Sequence, residues 1–145
     1  MPFLSPRSLA CTAPSTQGHI QAAQGIGGIY YWGQGAAIDF LRAMAVYKVG
    51  AEGGGALCQY QVGTMYYLGR GVAVDYKQAR PWLEKAAAQD HPEAVGQLGV
   101  LYMDGEGVTP SWRRARELYE RAIKLGDSQA VEDMQTLTED IQNVS

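Results

Sequence analysis

Apolar residues fall along this chain in a helical rhythm. Ala22, Ile26, Ile29 and Tyr30 recur at steps of four, three and one, and so do Cys58, Val62, Met65 and Tyr66, then Ala94, Leu98, Leu101 and Tyr102. That spacing puts each set on one face of a helix. A second set steps by three, four and three: Phe40, Ala43, Tyr47 and Gly50, matched by Tyr76, Ala79, Leu83 and Ala86, and by Trp112, Ala115, Tyr119 and Ala122. These form a second apolar face. The chain therefore alternates two kinds of amphipathic helix, and each kind returns after 36 residues.

The same interval relates "GIYYWGQGAAIDFLRA" from Gly28, "TMYYLGRGVAVDYKQA" from Thr64 and "VLYMDGEGVTPSWRRA" from Val100. Glycines hold register at 27, 63 and 99, at 33, 69 and 105, and at 35, 71 and 107, as do tyrosines at 30, 66 and 102. A fixed period of roughly 20–50 residues marks a solenoid, in which each unit buries its apolar surface against its neighbours. Asp39, Asp75 and Ser111 stand just before the second helix of each unit, where a short oxygen-bearing side chain accepts hydrogen bonds from the first free amides. Gly33, Gly69 and Gly105 stand where the first helix must end and reverse, a place suited to left-handed backbone.

The paired glycines raise the possibility of a phosphate cradle. Such a loop normally occurs once, between a strand and a helix, with a Lys-Ser or Lys-Thr pair or a three-glycine dinucleotide spacing. Here the pair occurs three times between helices, so it reads as a turn. Glycine inside a helix costs about 1 kcal/mol relative to alanine, so Gly27, Gly63 and Gly99 need a packing reason. The expectation is that neighbouring hairpins stack by offering small residues, these glycines with Ala43, Ala79 and Ala115, to the large rings of the next.

The pattern is specific enough to carry a family likeness. Residues 17 to about 131, most clearly "AVGQLGVLYMDGEGV" and "CQYQVGTMYYLGRGVAVDYKQARPWLEKAAAQDHPEA", resemble the Sel-1-like repeat, a relative of the tetratricopeptide repeat. The resemblance implies an all-α, right-handed superhelix of antiparallel helix pairs, with about three 36-residue units and a C-terminal capping helix. It also implies a non-catalytic adaptor that holds other proteins. The expected organisation is a flexible leader at 1–16, repeats at 17–126, and an acidic capping helix and tail at 127–145. In the last segment Gln135, Thr138 and Ile141 stand where the glycine, the tyrosine and the turn glycine of earlier units stood. Pro81 falls inside the second helix of the middle unit, where a kink or a late helix start is expected.

Superhelices of the tetratricopeptide type present their first helices on the concave face. By helical spacing the outward residues are Gln24, Gly28 and Tyr31, then Tyr60, Thr64 and Tyr67, then Gly96, Val100 and Met103. Tyr and Met suit a surface that buries an apolar segment. The competing reading is that Tyr31, Tyr67 and Met103 pack between units as core. At the N-terminal end, an upstream second helix would need apolar residues at 4, 7, 11 and 14; Leu4 and Cys11 fit, whereas Arg7 and Pro14 do not. The first unit is therefore expected to have an open flank, suited to further repeats, to a partner, or to a degenerate unit.

Composition narrows the partners. The 145 residues carry 12 Lys and Arg against 15 Asp and Glu, and this net charge of −3 lacks the basic footprint of a nucleic-acid binder. No Lys or Arg occurs among the last nineteen residues, which reads as an acidic, solvated end. The opening stretch has no apolar run of the length a secretory signal or membrane span needs, so membrane insertion is not expected and a cytoplasmic location is. Cys11 and Cys58 show no CxxC spacing and read as unpaired thiols in a reducing compartment.

The segment "RRAR" at 113–116 alternates with Glu117 and Glu120 and reads as a solvated face; His19 and His91 share one repeat position in the loops between units and read as turn residues. No metal, cofactor or catalytic group is expected, because no Ser/His/Asp set and no paired carboxylates accompany a recognisable motif. The resemblance leaves two other readings. One is a subunit of a membrane-associated protein-degradation complex; the namesake group is glycosylated, and the sole Asn-x-Ser/Thr match here begins at Asn143. The other is an envelope role like that of secreted bacterial relatives linked to penicillin binding or hydrolysis. Those carry a cysteine pair in each repeat, which this chain lacks.

Overall fold

The computed structural model describes residues 13–144, with side chains from Gln17 onward. Cys11 and residues 1–12 of the expected leader lie outside the described residues. Among the described residues seven helices follow one another: α1 (Ala13–Trp32), α2 (Phe40–Glu52), α3 (Ala56–Leu68), α4 (Tyr76–Ala88), α5 (Pro92–Asp104), α6 (Trp112–Lys124) and α7 (Gln129–Val144). Helix α1 already includes residues 13–16, four positions assigned above to the leader. Consecutive helices pack together, and first helices of adjacent units also meet, α1 on α3 and α5 on α7. The architecture is an all-α helical-repeat superhelix.

The turn within each unit is built three times from the same bonds. The amide of Gly69 donates to the carbonyl of Met65 (2.8 Å) and that of Arg70 to the same oxygen (2.9 Å), as Gly33 and Gln34 do to Ile29, and Gly105 and Glu106 to Leu101. The amides of Asp39, Asp75 and Ser111 then donate to the carbonyls of Tyr30, Tyr66 and Tyr102 at 2.8–2.9 Å. Their side chains cap the next helix, accepting from the amides of Arg42, Gln78 and Arg114. With these amides engaged in closing the turn, the glycine pair turns a corner as expected.

Both glycines of the pair have positive φ, 74° at Gly69 and 75° at Gly71, but they serve different contacts. Gly69 folds against Val74 in its own loop. A Cβ on Gly71 would lie 2.6 Å from the carbonyl oxygen of Phe40, in the preceding unit, and one on Gly107 would lie 3.0 Å from that of Tyr76. Gly35, before whose unit no helix is described, has open space at the same position. At Gly71 and Gly107 the second glycine therefore lets the loop rest on the backbone at the start of the preceding unit's second helix.

The glycines of the first helices act inside the hairpin, which corrects the expectation that they join neighbouring hairpins. A Cβ at Gly27 would sit 2.6 Å from Tyr47 Cε1, one at Gly63 would sit 2.8 Å from Leu83 Cγ, and one at Gly99 would sit 2.6 Å from Tyr119 Cε1. In each case the large side chain belongs to the second helix of the same unit. Its bulk fills the space the glycine leaves, so the two axes approach closely. Between units the small residue is Gly50, whose missing Cβ makes room for Cys58 and Ala23.

Burial shows what stacking does. Val62, Met65 and Leu101 are fully buried and Leu98 nearly so, yet Ile26 and Ile29, their counterparts in the first unit, are 45% and 38% exposed. The same face thus changes character because no described helix precedes α1, whose buried residues are instead Ile20, Ala23, Gly27 and Tyr31. Pro81 does not delay α4, which starts at Tyr76 in register with α2 and α6. The Asp75 cap and the buried Ala79 and Leu83 hold the start, while Pro81 itself is exposed.

Side chains tie the units together as well. Arg70 donates to the Tyr31 hydroxyl at 2.6 Å and lies over the rings of Tyr31 and Phe40. Arg121 on α6 donates to the Ala87 carbonyl (2.6 Å) and to Asp90 (2.7 Å).

Candidate functional site

A cleft of about 190 Å³ opens across the first helices of successive units, lined by Tyr60 of α3, by Glu93, Gly96, Gln97 and Val100 of α5, and by Asp127, Gln129 and Asp133 at the start of α7. The 36-residue repeat creates it, since each hairpin returns the chain so that one first helix lies beside the next. Thr64 Oγ1 donates to Gln97 Oε1 at 3.0 Å, joining α3 to α5 beside the cleft. On the other side Asp127 accepts from the amide of Gln129 (3.1 Å) and leans over Gly96, where a Cβ would collide with its Oδ2.

Negative charge gathers here without a cation among the lining residues. The Tyr60 ring lies against His91, with centroids 4.8 Å apart, and His91 Nε2 is 3.3 Å from Glu93. Burial lowers the pKa of His91 and Glu93 raises it, with burial the larger effect. Burial raises the pKa of Asp133, a hydrogen bond from Gln129 lowers it, and Asp127 and Glu132 raise it further. The hydroxyl of Tyr60 is raised first by burial and also by Glu93 and Asp127, while a hydrogen bond with Thr64 opposes the rise.

The residues singled out from spacing have separate fates. Tyr60 and Val100 line the cleft, and Thr64 stands beside it through Gln97. Tyr67 is half-buried, bonded to Glu106 and packed near Tyr76, and its hydroxyl is pushed up to about 12, mainly by burial. Met103 receives the Tyr119 hydroxyl at Sδ (3.7 Å). Tyr31 is only 4% exposed, enclosed by Trp32, Phe40, Tyr47 and Arg70. Gln24 is half-buried on α1, apart from the cleft. Spacing did not single out Glu93, Gln97, Asp127, Gln129 and Asp133. The acidic C-terminal segment was the available signal for two of them, and Asp127 and Asp133 are half-buried there, not solvated as expected.

Other features resolve as structure. Arg113 and Arg116 pair with Glu117 and Glu120 along the exposed face of α6. Cys58 is a free, buried thiol pushed up to about 11 by burial. Among the described residues no group of three or more His, Cys, Asp or Glu could hold a metal ion, and no helix is long and apolar enough to cross a membrane. A trough of about 420 Å³, lined by His19 and by the apolar Ala22, Ala23, Ile26, Ala45, Val46 and Val49, marks a flank of α1 and α2 that no described helix covers.

The Sel1 repeat family model matches residues 56–91 and 92–127, two units that begin at α3 and α5. Among solved structures, a protective antigen of uropathogenic Escherichia coli with an SLR fold is 33% identical and superposes with a TM-score of 0.75, covering 79% of this chain and 24% of the antigen. A Sel1 repeat protein from Oxalobacter formigenes is 31% identical with a TM-score of 0.75, covering 91% of this chain and 51% of the other. Helicobacter pylori cysteine rich protein B shares the fold at 18% identity, with a TM-score of 0.65 over 88% of this chain and 96% of its own. This chain thus spans about a quarter and about half of the first two relatives. No curated protein matches it.

Proposed function

Because this chain belongs to the Sel1 repeat family, whose repeats are generally protein-interaction scaffolds, we propose that it is a non-catalytic adaptor presenting the surface of its first helices to a partner protein or peptide. The observation that carries this reading is the cleft itself, which three successive units build together from Tyr60, Val100 and the start of α7. Its volume of about 190 Å³ is smaller than the roughly 300–1,000 Å³ of small-molecule sites, and it suits a side chain projecting from a larger partner. Tyr60 supplies a rigid, amphipathic contact at low entropic cost.

Affinity capture followed by mass spectrometry tests the proposal. The double variant Tyr60→Ala, Tyr67→Ala should keep its helical spectrum and lose the partners that the unmodified chain retains. Equal recovery of the same partners would reject it.

The flank of α1 that no described helix covers supports a second contact. Its exposed Ile26 and Ile29 stand at the positions of the fully buried Val62 and Met65 of α3, a helix that packs on α2 of the unit before it, so the matching occupant is an amphipathic helix of the α2 type, from a further repeat or a partner. Deuterium exchange at α1 in the captured complex tests this, with unchanged protection there ruling it out.

A further inference from the structure

The cleft also specifies the chemistry of what it holds, an inference that rests on the adaptor reading above. Glu93, Asp127 and Asp133 border one small cavity whose lining includes no Lys or Arg, and among the described residues no salt bridge neutralises Asp127 or Asp133. By contrast, the carboxylates on the outer face of α6 are paired, Glu117 with Arg113 and Glu120 with Arg116. These three groups do not converge on a point, since no set of three such residues could hold a metal ion. They border the cleft from two elements instead, Glu93 from α5 and Asp127 and Asp133 from the start of α7. One wall is the Tyr60 ring, whose face attracts a cation, and Val100 gives an apolar stretch along which a methylene chain can lie.

Desolvation decides the sign of the preferred ligand. Partial burial weakens the screening of these carboxylates, so bringing a neutral or acidic segment over them removes water without compensation. A basic side chain restores it. We propose that this cleft receives a lysine or arginine side chain from a partner polypeptide lying across α3, α5 and α7. The ammonium or guanidinium reaches Asp127 and Asp133, and the stem lies between Tyr60 and Val100.

Short peptides alternating glycine with lysine, glutamine or glutamate provide the test, read by amide chemical shifts in two-dimensional NMR of the full chain. The lysine peptide should move the resonances of Gly96, Val100 and Gln129 saturably, and the other two should not. Asp133→Asn should raise its Kd about three-fold and the double variant Asp127→Asn, Asp133→Asn about ten-fold, as expected for partly exposed ion pairs. Asparagine at 127 keeps the acceptor for the Gln129 amide, and circular dichroism confirms that each variant folds. Glu117→Gln, an exposed residue of α6 outside the cleft lining, should leave Kd unchanged. If the glutamine peptide moves the same resonances equally, or Glu117→Gln weakens binding as much as Asp133→Asn, the cation assignment is overturned while the adaptor reading stands. No shift at these residues from any peptide overturns the assignment. The adaptor reading then falls only if Tyr60→Ala, Tyr67→Ala also captures its partners undiminished.

Discussion

Substituting alanine for the second glycine of each turn should produce unequal losses, although all three glycines have nearly the same backbone. Gly35, Gly71 and Gly107 have φ of 79°, 75° and 74°. An alanine in this left-handed region costs about 1–2 kcal/mol. Its restriction of the unfolded chain returns about 0.4–1 kcal/mol. Gly35→Ala, with open space around its new methyl, should therefore lose no more than about 1.6 kcal/mol. At Gly71 the methyl would stand 2.6 Å from the oxygen and 2.8 Å from the carbon of the Phe40 carbonyl. Backbone in a helix cannot rotate away as a side chain does, so two units must part slightly, an overpacking cost of about 1–3 kcal/mol more. Gly107 has a looser fit, with Tyr76 carbonyl atoms at 3.0 Å, and should fall between. Urea and thermal melts followed at 222 nm measure this, with about 3 °C of midpoint per kcal/mol expected for a domain of this size. Equal destabilisation at Gly35 and Gly71 would refute the claim that this glycine serves contact between units.

Gly63→Leu should abolish the cooperative melt, because even a lone Cβ would press on Leu83 and the Ala79 carbonyl oxygen, 3.2 Å away; an unchanged melt would contradict the packing role. Ile26→Asn should alter stability by about 0.5 kcal/mol or less, whereas Val62→Asn at the equivalent, fully buried position should cost several-fold more; similar losses would show that the α1 flank is covered. Alkaline pH should destabilise the fold, because burial raises Tyr47 from 10.0 and Tyr67 from 10.0 to about 12, and Cys58 from 9.0 to about 11. The folded chain holds these protons more tightly, so the stabilisation is complete below the unfolded values and is lost as pH climbs through the folded ones. Urea midpoints should be steady near about pH 8 and lower near about pH 11; tyrosinate absorbance rising ahead of any loss of helix would count against it.

The turn was open to sequence reading because its causes are local. Asp39, Asp75 and Ser111 cap the helix they immediately precede, and Gly33, Gly69 and Gly105 need only their own backbone to adopt positive φ. Gly63 announced that something large must approach it, since a helix interior otherwise disfavours glycine. What approaches was not local: Leu83 comes from the same hairpin, twenty residues on.

Spacing likewise reported which residues leave a helix in the same direction, and it marked Tyr60 and Val100 as neighbours of one surface. It could not report what lies opposite. Tyr31 shares that direction but is closed in by Arg70 from the next turn, and Ile26 shares the apolar period of Val62 but has no described helix against it. Asp127 and Asp133 reach Tyr60 only because two hairpins intervene and bring α7 back beside α5. The amino-acid sequence alone determined the period, the helix caps and the turns, all consequences of short-range backbone preference, while which hairpin fills the space at Gly27, Gly63 and Gly99 was decided by the tertiary structure. Exposure, charge environment and the make-up of the cleft depended on packing across units, where each side chain's surroundings are supplied by residues distant along the chain.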